Sequence, residues 1–259
     1  MTHATSALRL AGAARPVLAL MVFLLVWQLG AALAGVPSYI LPLPSEIGAR
    51  FWQTREVQLE HLSFTALSTL IGLAAALVFG VLLALSVVYV PALKAMVMPA
   101  LAAFNSIPKI AVAPLFIIWF GLGIESKVVL AFLLGLFPIF VNSATGLGEI
   151  EADVLDLSRL AGGTQLRIFA KVRLMNALPY ITDALKVAFP LALVGAIVGE
   201  FIGGNRGVGY LILSAQFNLD TPLVFATLLS ITLFTTLGIG VVALVERAFL
   251  KWRPSRRRR

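Results

Sequence analysis

Residues 61–93 read HLSFTALSTLIGLAAALVFGVLLALSVVYVPAL and contain no aspartate, glutamate, lysine or arginine. A helix needs about 20 mostly apolar residues to cross the hydrocarbon core of a bilayer, so this stretch is long enough. A helix on the surface of a soluble protein would carry polar side chains along the face that meets water. The stretch therefore predicts a transmembrane helix.

Five further stretches follow the same pattern with few internal charges. They are Val17–Gly35, Ala95–Ile124, Val128–Gly148, Leu178–Ile202 and Thr221–Val245. Hydrophobic residues make up 60% of the chain and charged residues 12%, whereas soluble domains have about 45–50% and about 25%. The sequence thus predicts an all-α, polytopic membrane protein with six transmembrane helices, and it nearly excludes a soluble domain.

No repeat and no linker divides the chain, so we predict a single transmembrane domain over residues 1–259. Its core covers about residues 17–253, and residues 256–259 form a basic tail. The first span also resembles a cleaved signal peptide, because Arg9 and Arg15 precede it and small residues end it. Its length favours a helix that is retained.

Basic residues are distributed unevenly among the segments that join the spans. If the N-terminus is cytoplasmic, fourteen of them fall on the inner side and four on the outer side, namely Arg50, Arg55, Lys127 and Arg206. Cytoplasmic segments carry the excess of lysine and arginine in membrane proteins, so we expect both termini to be cytoplasmic. The net charge of +8 then reflects topology and a lipid-attracted tail, and nucleic acid is not an expected partner.

Composition excludes most catalytic and metal-binding chemistry. The chain has no cysteine, two histidines and no Gly-x-x-x-x-Gly-Lys-Ser/Thr phosphate loop. We therefore expect no metal site, no bound cofactor and no enzymatic activity, and this chain alone should not hydrolyse ATP.

An ion-coupled secondary transporter or a channel is the alternative function. Ion coupling usually needs acidic residues at membrane depth, and the candidates are Asp183 and Glu200. Asp183 precedes Lys186 by three residues, so we expect an ion pair between them near the inner surface. Glu200 approaches the outer end of its span.

Two connections are longer than simple turns. The outer one, residues 36–60, contains three prolines and then Ser45, which we expect to be the N-cap of a short amphipathic helix along the outer surface. The inner one, residues 149–177, is charged and helix-like, and Gly162 and Gly163 should end its first helix because glycine adopts the left-handed conformation.

A second short helix is expected after these glycines, and Pro179 is expected to restart the chain as a spanning helix. The apolar residues of this second short helix should face protein or lipid, and its basic residues should face water. The apolar set is Leu166, Phe169, Ala170 and Val172, and the basic set is Arg167, Lys171 and Arg173. Such an elbow can fill a groove on a partner protein.

The inner segment resembles the EAA loop of ABC-importer permeases, whose pattern is Glu-Ala-Ala, three residues, Gly, nine residues and Ile-x-Leu-Pro. The glycine corresponds to Gly162, and the spacing matches. Residues 156–158 are Asp-Leu-Ser in place of Glu-Ala-Ala, and residues 172–175 are Val-Arg-Leu-Met in place of the last four.

The rest of the chain is similar to the nitrate, sulfonate and taurine branch of these permeases over about residues 17–253. Characteristic stretches occur in order along it. They are LPLPS at 41–45, IPKIAVAPL at 107–115, WFGLG at 119–123 and GEFIGGNRGVGY at 199–210.

The resemblance implies the permease subunit of an ATP-driven importer with the type I fold, located in the bacterial inner membrane. Such an importer has two permease chains, here expected to be a homodimer, two ATPase chains that use the ATP, and an external substrate-binding protein. The binding protein is expected to dock on the glycine-rich loop at residues 203–209. The substrate implied is a small anionic solute such as nitrate, a sulfonate or taurine, although vitamin precursors share the permease pattern.

In that family the helix that ends at the loop's glycine is the coupling helix, which docks in a groove of the ATPase. It corresponds to about Leu155–Arg167 in this chain, with the bend at Gly162 and polar contacts from Asp156 and Arg159. The residues expected at the contact are Asp156, Leu157, Ser158, Arg159, Gly162, Gly163 and Arg167.

Asn105, Lys109 and Glu200 are candidates for the translocation pathway. Lys109 follows Pro108, so either the span is kinked there and the ammonium faces the pathway, or residues 95–105 lie at the inner interface and Lys109 reaches towards water. Asn105 would meet substrate or satisfy freed backbone groups. Glu200 would line the pathway, pair with Arg206 or face outer water.

Overall fold

The structure is a computed structural model that describes residues 2–249, with side-chain positions for residues 15–248. Its regular elements within that range are all helical, which confirms the predicted fold class. They are α1 (Thr2–Leu33), α2 (Pro44–Gln53), α3 (Arg55–Tyr89), α4 (Pro91–Ser106), α5 (Lys109–Phe120), α6 (Ile124–Gly148), α7 (Ala152–Leu160), α8 (Gln165–Ile168), a π-helix (Phe169–Arg173), α9 (Leu174–Gly203), α10 (Val208–Phe217) and α11 (Thr221–Phe249).

Among the described residues, five helical segments are long and apolar enough to cross a membrane, and the bent pair α4 and α5 makes a sixth if the pair is one span. The five lie in α1, in α3, in α6, in the run from Gln165 to Gly203, and in α11. The six spans predicted from the sequence agree with this count. The basic tail at residues 256–259 and the end of the predicted core lie outside the described residues, and the single domain stays a prediction.

The third predicted span is broken. α4 and α5 meet at an angle of 94° across residues 107–108, so Ala95–Ile124 is not one continuous helix. The chain bends at Pro108, which agrees with both alternatives given for Lys109. Proline has no N–H to donate and keeps the preceding residue out of the helical region. Ile107 is accordingly extended, with φ −70° and ψ 128°.

The chain divides into two compact units, of which the first comprises the chain up to Leu59 together with Leu211–Ser230. Arg50 pairs with Asp220 in this unit, and the Ser230 hydroxyl donates to Gln58 Oε1. These polar contacts join parts of the unit that are far apart in sequence.

The short helix predicted in the outer connection is present as α2, but Ser45 is not its N-cap. The helix begins at Pro44, because proline is favoured at the first helical position. The Glu46 carboxylate accepts a hydrogen bond from the Leu43 backbone N–H at 2.9 Å. Ser45 lies inside the helix, and its N–H donates to Gln28 Oε1 at 3.1 Å.

The second unit comprises Glu60–Tyr210 and the described residues from Ile231 onward. Its core lies where α3, α6 and α9 pack together, and small residues let the backbones approach closely. A Cβ added to Gly195 would lie 2.5 Å from the Leu130 carbonyl oxygen. The buried residues of this core are Leu73, Ala76, Ala131, Ile139, Ala184, Ala188, Phe189, Ala192 and Ala196.

Replacing Gly195 by alanine should destabilise the protein by about 1–3 kcal/mol, the typical cost of overpacking a core. Gly240→Ala on α11 is the matched control, because an added Cβ there would meet none of the described atoms within 4 Å. Thermal unfolding in detergent should show a lower Tm for Gly195→Ala and no loss for Gly240→Ala. Equal Tm values for the two variants would contradict the close approach of α6 and α9.

Candidate functional site

The segment between α6 and α9, residues 149–173, is called the α6–α9 loop here, and it begins with α7. This helix ends where the N–H groups of Gly162 and Gly163 donate to the carbonyls of Arg159 and Ser158, each at 3.0 Å. Gly162 has φ +75°, a conformation that glycine adopts without strain and other residues rarely adopt. The predicted helix stop at these glycines is therefore confirmed.

Gly163 is needed for a different reason. A Cβ at this position would lie 2.6 Å from the Ser158 carbonyl oxygen. One glycine thus supplies the turn of the chain, and the next allows the chain to pass close over the end of α7.

Thr164 begins the second part of the loop. Its hydroxyl accepts a hydrogen bond from the Arg167 N–H at 3.4 Å, as an N-cap does. The chain then stays helical from Gln165 to Gly203, with the π-helix as one irregular turn. The expectation that Pro179 restarts the chain as a spanning helix is wrong, because α9 begins at Leu174 and Pro179 lies buried inside it.

Hydrogen bonds join the C-terminal end of the loop and the start of α9 to the last carbonyls of α6. Arg173, expected to face water, instead donates to the Leu147 carbonyl at 2.7 Å and lies over the Tyr89 ring at 5.5 Å. Asn176 donates to the Gly146 carbonyl at 2.8 Å. The last carbonyls of a helix lack intrahelical partners and attract cations, which explains why Arg173 turns inward.

Apolar side chains cover the outside of the loop. Leu157, Leu160 and Leu166 are 69%, 86% and 76% exposed. Asp156 and Arg159 form an exposed ion pair at 2.9 Å beside them. The neighbouring groove has a volume of about 490 Å³ and is lined by Leu85, Ser86, Tyr89, Gln165, Leu166 and Phe169. A surface that mixes exposed leucines with one ion pair is suited to binding a protein.

The remaining coupling candidates are placed on the same loop. Ser158 donates its hydroxyl to the Val154 carbonyl at 2.7 Å, so this group serves α7 itself. Arg167 is exposed on α8. The structure thus brings all seven predicted coupling residues to one loop.

Two pathway candidates meet at the break between α4 and α5. Lys109 Nζ donates to the Asn105 carbonyl at 3.2 Å and to the Asn105 side-chain oxygen at 2.8 Å. It also lies 5.9 Å from the centroid of the Phe104 ring. The lysine therefore satisfies the end of α4; Asn105 is exposed and Lys109 is half-buried.

Glu200 is fully buried, which excludes the expectation that it faces outer water. Its carboxylate accepts hydrogen bonds from the Thr65 hydroxyl at 2.7 Å and the Gly209 N–H at 2.8 Å. Lys127 is equally buried, although its place between two apolar stretches predicted a residue of an outer loop. It lies in the first turn of α6.

Asp183 pairs with Lys186 at 3.0 Å, as the sequence predicted. Lys186 also pairs with Glu246 on α11, a partner that the sequence analysis did not identify. Lys186 and Glu246 are 60 residues apart, so no local sequence pattern predicts their contact.

Residues 76–251 match the family model described as the binding-protein-dependent transport system inner membrane component. The chain is 36% identical to the formylaminopyrimidine transport permease of Halalkalibacterium halodurans over 93% of this chain and 96% of that one. It is 35% identical to the riboflavin transport system permease of Chloroflexus aurantiacus over 91% and 89% of the two chains.

A third relative is the aliphatic sulfonates transport permease of Bacillus subtilis, with 31% identity over 90% of this chain and 86% of the relative. Among solved structures, the inward-facing MetNI methionine ABC transporter matches with a TM-score of 0.61 and 22% identity. The match covers 76% of this chain and 96% of the MetNI chain, and it shows the shared fold. The chain therefore belongs to the binding-protein-dependent inner membrane permeases of ABC importers, in the branch that includes the sulfonate and taurine permeases.

Proposed function

We propose that a separate ABC ATPase binds this permease on the α6–α9 loop. The observation that carries the proposal is the row of exposed leucines at 157, 160 and 166, because apolar side chains left in water mark an interaction surface. The loop also joins two spanning helices, α6 and α9, directly, so a force applied to the loop would reach the membrane-spanning part of the protein.

Each loop residue has a separate role in this proposal. Gly162 sets the bend, and Gly163 lets the chain pass over the end of α7. Leu157 provides apolar contact, while Asp156, Arg159 and Arg167 provide charged groups at the rim. Ser158 keeps α7 intact through its bond to the Val154 carbonyl.

ATP is used by the partner in this scheme, and the chain itself needs no cofactor. Closure of an ATPase pair on its nucleotide would displace the loop and swing the spanning helices, which gives alternating access. The alternative of ion coupling is less well supported, because Asp183 is paired with Lys186 and the Glu200 carboxylate is bound by Thr65 and Gly209.

We further propose a homodimer with both termini in the cytoplasm and an external substrate-binding protein on the opposite face. The positive charge of the inner segments supports this orientation. The binding protein would dock near residues 203–209, at the end of α9 opposite the loop. Asn105 and Lys109, at the break between α4 and α5, stay candidates for the translocation pathway.

The substrate is proposed to be a small heterocycle that contains a pyrimidine ring, with an anionic solute of the nitrate, sulfonate or taurine type as the second candidate. The two relatives at 36% and 35% identity are named for formylaminopyrimidine and riboflavin, whose ring systems share this chemistry. The relative at 31% is named for aliphatic sulfonates. Lys109, the cation that would favour an anion, is hydrogen-bonded to Asn105.

Vesicles that contain this chain alone should show neither ATP hydrolysis nor uptake. Hydrolysis should appear when the cognate ATPase is added, and uptake should need both ATP and the binding protein. Uptake driven by a proton or sodium gradient in the absence of the ATPase would establish the ion-coupled alternative instead.

Gly162→Pro should uncouple ATP hydrolysis from transport and leave membrane insertion intact. Proline fixes φ near −65°, whereas Gly162 has φ +75°, and it also removes the N–H that binds the Arg159 carbonyl. Transport per ATP hydrolysed should fall at least about fivefold, the lower end of usual coupling effects.

Gly162→Asn is the matched control for this experiment, because asparagine tolerates the left-handed region. It should retain most of the transport. Normal transport in the proline variant, or equal loss in both variants, would remove the coupling role of this bend.

The substrate proposal can be tested on the binding protein that works with this permease. Calorimetry with formylaminopyrimidine, riboflavin, taurine and an alkanesulfonate should show binding of a pyrimidine-containing compound. The same compound should stimulate ATP hydrolysis by the reconstituted importer. Selective binding and stimulation by taurine or the alkanesulfonate would establish the anionic class.

A further inference from the structure

Two charged residues are fully buried at the ends of α6 and α9 that lie opposite the α6–α9 loop. Lys127 and Glu200 each have 0% exposure. Burying a charge is costly unless it is paired and hydrogen-bonded. The partners of these two residues therefore indicate what the charges do.

Lys127 joins the ends of two other helices to the start of α6. Its ammonium donates to the Leu122 carbonyl at 2.7 Å, just beyond α5, and to the Gly203 carbonyl at 3.0 Å, the last residue of α9. Carbonyl groups at helix ends lack intrahelical partners and carry partial negative charge. One cation thus satisfies two helix ends at once.

Glu200 belongs to a set of side chains that hold the start of α10. The N–H groups of Gly207, Val208 and Gly209 donate to His61 Nδ1 at 3.1 Å, Thr65 Oγ1 at 2.9 Å and Glu200 Oε2 at 2.8 Å. These are the amides that a helix leaves without intrahelical partners.

The Thr65 hydroxyl has a double role in this set. It accepts from the Val208 N–H and donates to Glu200 Oε1 at 2.7 Å. Gly207 has φ +101°, and a side chain there would overlap the Glu200 carboxylate, so the fit is tight. Removing this one hydroxyl would remove the hydrogen bonds that α3 makes through Thr65 to Glu200 on α9 and to the first residue of α10.

We propose that His61, Thr65, Lys127 and Glu200, together called the far-end clamp, transmit movements of the α6–α9 loop to α5 and to the start of α10. The proposal rests on the proposed binding of an ATPase to that loop. α6 and α9 are the two helices that the loop joins, and their backbones pack closely at Gly195. They would move together when the loop is displaced.

The distance involved makes such a link necessary. Lys127 and Gly148 are separated by 21 residues of α6, which corresponds to about 32 Å at 1.5 Å per residue. Movement can cross this distance through a rigid helix pair, but it reaches α5 and α10 through contacts at the far end. The clamp residues are thus positioning residues for transport.

The test compares hydrogen exchange at the two ends of the helix pair in the complete importer, reconstituted in lipid nanodiscs with its ATPase. Peptides covering residues 153–173 and 204–210 are measured with MgADP and with MgATP plus vanadate. Both segments should respond to the nucleotide in the unmodified protein.

Thr65→Val has nearly the same shape as threonine and lacks the hydroxyl. It should reduce the response at residues 204–210 at least about fivefold, within the usual range of coupling effects, while the response at residues 153–173 persists. Thr65→Ser keeps the hydroxyl and should retain both responses. An undiminished far-end response in Thr65→Val, or equal loss in both variants, would overturn the proposal.

Lys127→Met and Glu200→Gln extend the test to the charges. Lys127→Met removes the donor to the Leu122 and Gly203 carbonyls. Glu200→Gln replaces the carboxylate that accepts from the Thr65 hydroxyl and the Gly209 N–H by an amide with one acceptor oxygen. Each change should therefore abolish the far-end response. A far-end response that survives in Lys127→Met would also overturn the proposal.

The two proposals fail in different ways. If the unmodified importer shows no nucleotide response at residues 153–173, ATPase binding to the loop is wrong. If it responds there and not at residues 204–210, the loop is coupled and the clamp does not transmit the movement.

Discussion

A bilayer offers no water to the backbone, so a helix that ends within it must have its terminal carbonyl and amide groups satisfied by the protein. This constraint accounts for two lysines, Lys109 and Lys127. Lys109 donates to the Asn105 carbonyl at the end of α4, and Lys127 donates to the carbonyls of Leu122 and Gly203. Each lysine lies where a helix is interrupted.

The same constraint accounts for the other polar groups near helix ends. Arg173 and Asn176 bind the last carbonyls of α6, and Glu200 and Thr65 bind the first amides of α10. Charges at 12% of the chain are few, but the structure places several of them at breaks in the helices. A lysine in a span is therefore weak evidence for an anion pathway, since a broken backbone needs the same residue type.

The sequence was sufficient for features that depend on local order. The spans followed from apolar runs, the stop of α7 followed from Gly162, and the pair of Asp183 with Lys186 followed from helical spacing. A bend at Pro108 was one of two alternatives that the geometry of proline suggested. Each of these depends on residues that lie close together along the chain.

Contacts between distant segments could not be predicted in the same way. Glu246 binds Lys186 from 60 residues away, and Glu200 meets Thr65 across 135 residues. Arg173 was expected to face water because its neighbours Arg167 and Lys171 are also basic. Its actual partner, the Leu147 carbonyl, becomes accessible only when α6 and α9 fold against each other.

The close packing of α6 on α9 also determines how the protein could transmit force. Glycines at 146, 195 and 199 bring these helices together so tightly that added Cβ atoms would lie between 2.5 and 3.1 Å from their nearest neighbours. A close-packed interface of this kind resists sliding, because small shifts produce overlap. A displacement of the loop would therefore move the two helices together, and its effect at their other ends would depend on which elements are attached there.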